Sequence, residues 1–264
     1  MKVALHTGAL ARGEDDGGEI SHWGANGTNW LRLEEWRVSP LPMADFPFDI
    51  VGFDLDGTLL ETHRDLGAAV NHALVVGGQE PVPIDSIEDL IGGGAKMMLK
   101  RVTDSRGGLP DGEFRVLYKA LLAFYAENNC VHTRPYPGVN EALDRLAEQG
   151  VRLALITNKF ESFARAILDK LDLAQKFETI LGGDTLGKGR SKPAPDPLIE
   201  ARARLGGGRF AYIGDSSYDV LSARAAGVPV VVAGFGYCDK PPLELGGDAV
   251  IMSYDELIPA LESI

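Results

Sequence analysis

Short, continuous runs of apolar residues recur along the chain from residue 48 onward. They span residues 48–53, 152–156, 178–181, 210–213 and 228–232, and Gly, Asp or Asn bounds each run. Segments with helical spacing of apolar residues lie between the later runs, at 139–149, 161–171 and 217–226. Continuous apolar strands that alternate with amphipathic helices are typical of a parallel sheet covered on both faces. With right-handed crossovers, this pattern predicts an α/β fold with a doubly wound, Rossmann-like parallel sheet.

The pattern changes between residues 64 and 134, where strand signals vanish. The segments "DLGAAVNHALVV", "AKMMLKRV" and "FRVLYKALLAFYAENN" have the helical spacing of apolar residues. We interpret residues 62–134 as a small helical cap inserted after the first strand, and residues 43–61 plus 135–264 as the α/β core. The segment "TRPYPG" at 133–138 has two prolines and a glycine, which predicts a return linker or hinge.

Residues 1–42 differ from the rest of the chain. They are rich in Gly and polar residues and show no sustained periodicity, which predicts a disordered N-terminal extension. Met43 precedes the first core strand, so a natural start at Met43 is a further expectation. Deletion of residues 1–42 should then leave folding and activity intact.

Composition narrows the classes of partner. The chain has 264 residues and a net charge of −12, which disfavours nucleic acid or an anionic membrane surface as a partner. No apolar run approaches the length of a membrane span, and the first 20 residues have an acidic centre instead of a signal-peptide pattern. Cys130 and Cys238 are far apart in sequence, which predicts unpaired thiols. We therefore expect a cytoplasmic protein, monomeric or homodimeric.

The first apolar run ends in two carboxylates, in the stretch "DIVGFDLDGTLLET". Asp54 and Asp56 are separated by Leu55 and followed by Gly57. Because side chains alternate along a strand, the two aspartates should lie on one face, where like charges repel unless a cation compensates them. A hard divalent ion is suited to carboxylate oxygens. Taken alone, however, the same residues would more simply form an ordinary turn.

Polar residues also follow the later apolar runs, where parallel sheets bind their ligands. In chain order they are Thr157, Asn158 and Lys159 in "TNK", Asp184 in "GGD", Lys192 in "KPAPDP", and Asp215 and Asp219 in "GDSSYD". Individually, each admits a structural interpretation as a turn residue, a solvated charge or a helix cap. As a set, they favour a ligand site. Asp196 is predicted as a helix N-cap, with Pro197 at the first helical position.

Four stretches in this order resemble the motifs of the haloacid dehalogenase-like hydrolase superfamily: "FDLDGTLLET", "LALITNK", "KPAPDPL" and "YIGDSSYD". The resemblance covers residues 48 to about 255, and the helical insert is similar to the small cap of that superfamily. The stretches "GGGAKMMLKR", "TNK", "GGD" and "AGVPVVVAGFGY" resemble its phosphoglycolate phosphatase branch. Sugar-phosphate phosphatases and pyrophosphatases share several of these secondary features.

The resemblance implies a Mg²⁺-dependent phosphomonoesterase that acts on a small phosphorylated metabolite. The substrate would be 2-phosphoglycolate or a similar phospho-acid or sugar phosphate, hydrolysed through an aspartyl-phosphate. Asp54 would be the nucleophile, and Asp56 would protonate the leaving alkoxide and then deprotonate the attacking water. A halide needs no such proton, so Asp56 favours phosphoester cleavage over dehalogenation.

The remaining roles follow from the same resemblance. Mg²⁺ would be bound by Asp54, Asp215 and the backbone carbonyl of Asp56. Thr157 and Lys192 would hold the phosphoryl oxygens, with Asn158 as a further donor. Asp219, one helical turn after Asp215, would support the metal site or orient Lys192.

Several alternatives stay open at this point. A phosphomutase of the β-phosphoglucomutase type and a pyrophosphatase could use the same fold, whereas a non-catalytic binding protein would be expected to lose some of the acidic residues. In the cap, the glycines of "IGGGAKMML" could present backbone N–H groups to an anion, or Met97, Met98 and Leu99 could simply pack a core helix. Candidate contacts to the organic part of the substrate are His63, Arg64, Lys96, Lys100 and Arg101.

Overall fold

The computed structural model describes residues 46–264. The predicted extension at 1–42 and the proposed start at Met43 lie outside the described residues. The strands are β1 (Ile50–Phe53), β2 (Leu60–Glu61), β3 (Arg134–Pro135), β4 (Arg152–Ile156), β5 (Thr179–Leu181), β6 (Phe210–Gly214), β7 (Val230–Ala233) and β8 (Ala249–Ile251). The helices are α1 (His63–Val76), α2 (Ala95–Asp104), α3 (Asp111–Asn128), α4 (Val139–Glu148), α5 (Glu161–Lys170), α6 (Asp196–Arg204), α7 (Ser217–Ala226) and α8 (Leu257–Ser263).

A six-stranded parallel sheet forms the centre of the core, in the order β5-β4-β1-β6-β7-β8. Successive residues of each central strand enter different hydrophobic clusters because side chains alternate across the sheet. In β1, for example, Val51 and Phe53 pack on the face that α4, α5 and α8 cover, whereas Ile50 packs on the face that α6 and α7 cover. The predicted α/β class with a doubly wound parallel sheet is confirmed.

Each of the five apolar runs forms a strand of this sheet. Strand β8 was not predicted from the sequence. It contains only three residues, Ala249, Val250 and Ile251, and the first two are partly exposed at the edge of the sheet. A run this short carries no periodicity that separates a strand from a loop.

The first strand ends earlier than its sequence suggests. β1 stops at Phe53, and the chain enters a turn in which the N–H groups of Leu59 and Leu60 both bond to the carbonyl of Leu55. Gly57 has a φ of 78°, which glycine adopts without steric cost. Both aspartates lie beyond the regular strand, but they still line one cavity, whereas Leu55 between them is buried in the core, as the predicted alternation has it.

The insert after β1 is helical, as predicted. Helices α1, α2 and α3 lie within residues 62–134 and share a buried cluster with part of the core. The two connections to the core run side by side, because β2 and β3 pair antiparallel with Leu60 opposite Pro135 and Glu61 opposite Arg134. The predicted linker at 133–138 thus contributes strand β3 to this two-stranded ribbon.

A buried carboxylate fastens the ribbon to the cap. Asp65 in the first turn of α1 is 2% exposed, and it accepts hydrogen bonds from the backbone N–H groups of Val131, His132 and Thr133 at 2.9–3.0 Å. Hydrogen bonds to a buried charge are stronger than those between neutral groups. The start of the cap and its end are therefore held together at one point.

Three smaller predictions concern a helix N-cap, the two cysteines and membrane-spanning helices. Helix α6 begins at Asp196 itself, with Pro195 before it, so Asp196 is not the N-cap; its carboxylate instead pairs with Arg190 at 2.5 Å. Cys130 and Cys238 are unpaired thiols, as expected. None of the helices within residues 46–264 is both long enough and apolar enough to cross a membrane.

Candidate active site

The carboxyl ends of β1, β4 and β6 are neighbours, because these strands are adjacent in the sheet. The residues that follow them line a cavity of about 320 Å³ between the core and the cap. Lining residues from the core include Asp54, Asp56, Thr157, Asn158, Lys159, Lys192 and Asp215. The structure thus brings together the polar strand ends named from the sequence, with the exception of Asp184.

One lysine is buried among core residues in what we call the Lys192 cluster: Asp54, Lys192, Tyr212 and Asp219. Lys192 is 4% exposed, and its Nζ lies 2.8 Å from Asp54 Oδ1 and 2.6 Å from Asp219 Oδ1. It also donates a hydrogen bond to the Tyr212 hydroxyl at 2.9 Å. Burial lowers the pKa of Lys192, but Asp219 and Asp54 outweigh this and raise it. The ammonium group therefore stays charged.

Tyr212 was not predicted as a site residue, because it lies within an apolar strand. A side-chain Cβ at Gly52 would lie 2.8–3.0 Å from the rings of Phe210 and Tyr212, so only glycine lets these rings pack against β1. The ring carries the hydroxyl of Tyr212 to the carbonyl of Ile156 at 2.7 Å, beside Lys192. Gly52 in β1 thus makes room for the Tyr212 ring, which belongs to the adjacent strand β6 and carries the hydroxyl to Lys192.

Asp219 has both carboxylate oxygens occupied by protein groups. Oδ1 contacts Lys192 and lies 3.1 Å from the Tyr212 hydroxyl, whose single hydrogen is directed at the Ile156 carbonyl. Oδ2 accepts from the backbone N–H of Ser216 at 3.1 Å and from its hydroxyl at 2.5 Å, which completes a capping box at the start of α7. Asp219 is therefore placed to orient Lys192 and to support its neighbours.

Asp215 has fewer partners and is 3% exposed. The backbone N–H of Tyr237 donates to Oδ2 at 2.7 Å, and the Thr58 hydroxyl lies 3.4 Å from Oδ1. A Cβ on Gly57 would lie 2.0 Å from Asp215 Oδ2, so the turn after β1 needs glycine both for its φ and for space. One oxygen of Asp215 thus remains available to a ligand.

The carboxylates form a group with the chemistry of a cation site. Oxygens of Asp54, Asp215 and Asp219 all lie within 4.8 Å of one another. Burial raises the pKa of Asp54 to about 6, aided by Asp219, and burial together with Asp219 and Asp54 raises the pKa of Asp215 well above its usual value. Three carboxylates against the single ammonium of Lys192 leave two negative charges, which one divalent ion would balance.

The second aspartate of the turn has its own lysine, in what we call the Lys159 pair. Lys159 Nζ lies 2.9 Å from Asp56 Oδ1, and both side chains are largely buried. The same Nζ donates to the hydroxyl of Tyr125 at 2.8 Å, and Tyr125 comes from cap helix α3. Lys159 stands in the "TNK" motif, but no role was predicted for it because its partners are distant in sequence.

Thr157 and Asn158 both line the cavity, with different freedom to bind a ligand. The Thr157 hydroxyl accepts from the backbone N–H of Lys159 at 3.2 Å, so its own hydrogen is left for a ligand. The Asn158 amide donates to the backbone carbonyl of Lys192 at 3.0 Å. One of its two hydrogens is thus used to hold the Lys192 segment.

Asp184 does not join the other strand-end residues. Its carboxylate accepts from the backbone N–H of Glu161 at 2.9 Å, at the start of α5. This bond satisfies one of the amide groups that a helix leaves free at its first turn. The expectation that Asp184 converges on the ligand site is therefore wrong, and its role is structural.

The cap candidates separate into two groups. Lys100 pairs with Asp104 on the surface, and Arg101 bonds to the Leu90 carbonyl at 3.1 Å and lies 3.4 Å from the Tyr218 hydroxyl. Lys96, by contrast, lines the cavity.

At the base of the cap, His63 is 6% exposed and lies 3.3 Å from Glu88, so it is a packed residue of the cap base, whereas Arg64 is exposed. Met98 and Leu99 are buried and pack the cap, and Met97 is 40% exposed. The glycines at 92–94, just before α2, line the cavity, as do Lys96 and Met98 within α2, so this helix both packs the cap and faces the site.

Comparison with known proteins gives consistent matches. A family model described as haloacid dehalogenase-like hydrolase matches residues 51–233. A phosphoglycolate phosphatase of Agrobacterium fabrum is 40% identical over 212 residues, which cover 79% of this chain and 90% of that protein. One from Mesorhizobium japonicum is 38% identical over 212 residues, covering 79% and 92%. A crystal structure described as a predicted phosphoglycolate phosphatase from Haemophilus somnus is 30% identical, with a TM-score of 0.75 over 81% of this chain and 97% of that one.

Proposed function

The chain belongs to the haloacid dehalogenase-like hydrolase family and is a phosphatase, and we propose that it is a Mg²⁺-dependent phosphomonoesterase working through an aspartyl-phosphate. The observation that carries the proposal is the buried group of Asp54, Asp215 and Asp219 around a single lysine. Buried carboxylates at this separation are unfavourable unless a cation lies between them. Since a phosphate ester is itself anionic, the same cation makes attack by a carboxylate feasible.

Asp54 and Asp215 would hold the ion through their side chains, together with the backbone carbonyl of Asp56. Asp219 is less suited as a ligand because Lys192, Tyr212 and Ser216 already occupy both of its oxygens. Bound Mg²⁺ would neutralise the phosphoryl oxygens and orient them for in-line attack.

Two steps follow from the positions of the two aspartates. In the first, an oxygen of Asp54 bonds to phosphorus, the bond to the ester oxygen breaks, and the leaving alkoxide takes a proton from Asp56. In the second, Asp56 takes a proton from water while the water oxygen bonds to phosphorus. The bond to Asp54 then breaks, which releases inorganic phosphate and restores the carboxylate.

Thr157 and Lys192 would bind the phosphoryl oxygens. The Thr157 hydroxyl has a hydrogen to donate, and the Lys192 ammonium lies at hydrogen-bond distance from the proposed nucleophile. Donors placed before the reaction stabilise the charge that develops on the oxygens without further reorganisation. Asn158 would contribute its second amide hydrogen.

The cap end of the cavity supports 2-phosphoglycolate, or a similar phospho-acid, as substrate. Three cationic residues line the cavity in the described chain, and two of them, Lys159 and Lys192, are paired with carboxylates. The third, Lys96, is exposed, and no carboxylate within residues 46–264 pairs with it. The carboxylate of the substrate would form an ion pair with Lys96. A cavity of about 320 Å³ also has room for a sugar phosphate.

Phosphate release from a panel of esters tests the proposal. The panel comprises 2-phosphoglycolate, a hexose phosphate and inorganic pyrophosphate, each with EDTA and again after added Mg²⁺. We expect 2-phosphoglycolate to have the highest kcat/KM, no turnover in EDTA, and recovery with Mg²⁺. Full activity after thorough chelation would contradict the metal role, and preferred hydrolysis of pyrophosphate would contradict the monoester assignment.

The same proposal includes a cytoplasmic location. The two unpaired thiols are compatible with a reducing compartment.

A further inference from the structure

The proposed function assigns Asp56 two proton transfers, and the structure shows what holds this side chain. Asp56 Oδ1 lies 2.9 Å from Lys159 Nζ, whose side chain is 5% exposed. Asp54 contacts a different lysine, Lys192, at 2.8 Å. The two neighbouring acids thus differ in the lysine that each one contacts. Nothing in the reaction as derived above uses Lys159.

Lys159 is itself held from the cap. Its Nζ donates to the Tyr125 hydroxyl at 2.8 Å and lies 4.8 Å from the centre of the Tyr125 ring. Tyr125 is 1% exposed, and its ring packs edge-on against Phe163 of α5, with 5.4 Å between ring centres. The lysine therefore spans from a core carboxylate to a phenol that belongs to a cap helix.

We propose that Lys159 and Tyr125 are positioning residues that hold the Asp56 carboxylate where it meets the attacking water. The Lys159 ammonium forms an ion pair with Asp56 Oδ1, and this contact between two largely buried side chains restricts rotation of that carboxylate. Oδ2 is then left to accept the proton of the water. The Tyr125 hydroxyl accepts a hydrogen bond from the same ammonium, so the cap helix must be seated for Lys159 to be in place.

The inference rests on the proposed function, and a separation of the two chemical steps tests it. p-Nitrophenolate leaves without a proton, so formation of the phosphoenzyme from p-nitrophenyl phosphate does not require Asp56 as an acid. Hydrolysis of the phosphoenzyme always requires Asp56 as a base. Rapid mixing gives the first rate constant from the release of p-nitrophenolate. Acid quenching of labelled phosphoenzyme gives the second.

For Lys159→Met we expect hydrolysis of the phosphoenzyme to slow by about 10- to 100-fold, within the range of general-base effects. Its formation from p-nitrophenyl phosphate should change by less than about threefold. Lys159→Arg, which keeps the positive charge, should recover part of the loss. Tyr125→Phe keeps the ring and removes only the hydroxyl, and should show the same selective effect at about three- to tenfold. Tyr118→Phe in the same helix is the matched control, since Tyr118 lines the cavity and stacks on Phe114; it should lack the selective slowing.

Other outcomes would overturn the inference. Equal slowing of both steps would mean that Lys159 binds the phosphoryl group or only supports the fold, and no slowing of hydrolysis would mean that it does not position Asp56. If the unmodified enzyme forms no phosphoenzyme at all, the proposed function fails instead.

Discussion

The two halves of the cavity are built in different ways. In the core half, Asp54, Lys192 and Asp215 are buried, and each has partners that come from several strands and helices of the core. In the cap half, the lining includes residues 92–94, which are glycines, the exposed Lys96, and aromatic side chains of α3. The core half therefore has its geometry fixed before a ligand arrives, whereas an exposed residue of the cap half such as Lys96 can change at little structural cost. We expect core variants to affect all esters alike and variants of exposed cap residues to change selectivity.

The largest effect is expected at the proposed nucleophile. Asp54→Asn should lower kcat by about 10⁴-fold or more with every ester, since nucleophile removal has effects of this size. In metal-free protein, however, it should raise the free energy of unfolding by about 1–2 kcal/mol at pH 7.5. Burial raises the pKa of Asp54 from 3.8 to about 6, so stability is lost as the pH rises between these values, and the neutral amide removes this cost.

Phosphate release and urea denaturation in EDTA check both parts of this prediction. Activity near that of the unmodified enzyme would remove Asp54 as the nucleophile. Lower stability of the variant would show that Lys192 compensates the charge of Asp54 more fully than its surroundings indicate. A matched measurement near pH 4.5 should show a smaller difference in stability, because Asp54 is then largely protonated in the folded state.

A selective effect is expected in the cap half. Lys96→Met should raise KM for 2-phosphoglycolate by about tenfold, since a charged hydrogen bond contributes about 1.5 kcal/mol or more. The KM for p-nitrophenyl phosphate, which has no carboxylate, should stay within about twofold. Lys100→Met is the matched control, because Lys100 pairs with Asp104 on the outer surface. An equal rise with both esters would place Lys96 at the phosphoryl group instead.

The smallest effect is expected where the core supports the site indirectly. Tyr212→Phe keeps the ring that packs over Gly52 and removes the hydroxyl between Lys192 and the Ile156 carbonyl. We expect a loss of about 1–2 kcal/mol in the free energy of unfolding, measured by urea denaturation, and a kcat lower by about threefold with all esters. Selective loss with one ester would contradict the assignment of Tyr212 to the core half.

The contrast between strand-end residues and residues placed by tertiary contacts explains which parts of the site could be predicted from the sequence. Polar residues after apolar runs are recognisable because a parallel sheet collects strand ends at one edge, and Thr157, Lys192 and Asp215 were found in this way. Tyr212, Tyr125 and Tyr237 were missed, because an aromatic residue in an apolar stretch is indistinguishable from packing until its hydroxyl or backbone partner is known. Their partners depend on tertiary contacts that no local pattern records.

One wrong prediction and one incomplete prediction have physical causes of the same kind. Asp184 follows a strand as the site residues do, but its carboxylate accepts a hydrogen bond from the first turn of α5. Asp54 and Asp56 line one cavity, as strand alternation predicted, but each acid contacts a different lysine, and those contacts could not be predicted from the local sequence. In both cases, the residue type indicated a polar contact, but the partner in that contact depends on tertiary structure.

The ribbon of β2 and β3 has a consequence for how such a protein can diversify. Both passages of the chain between core and cap cross at one paired junction, which Asp65 fastens from the cap side. A foreign module grafted between residues 62 and 133 would join the core at two adjacent points without altering the order of the central sheet. Substrate recognition and catalysis are thus carried by separable modules, and replacement of the cap is a short route to a new substrate.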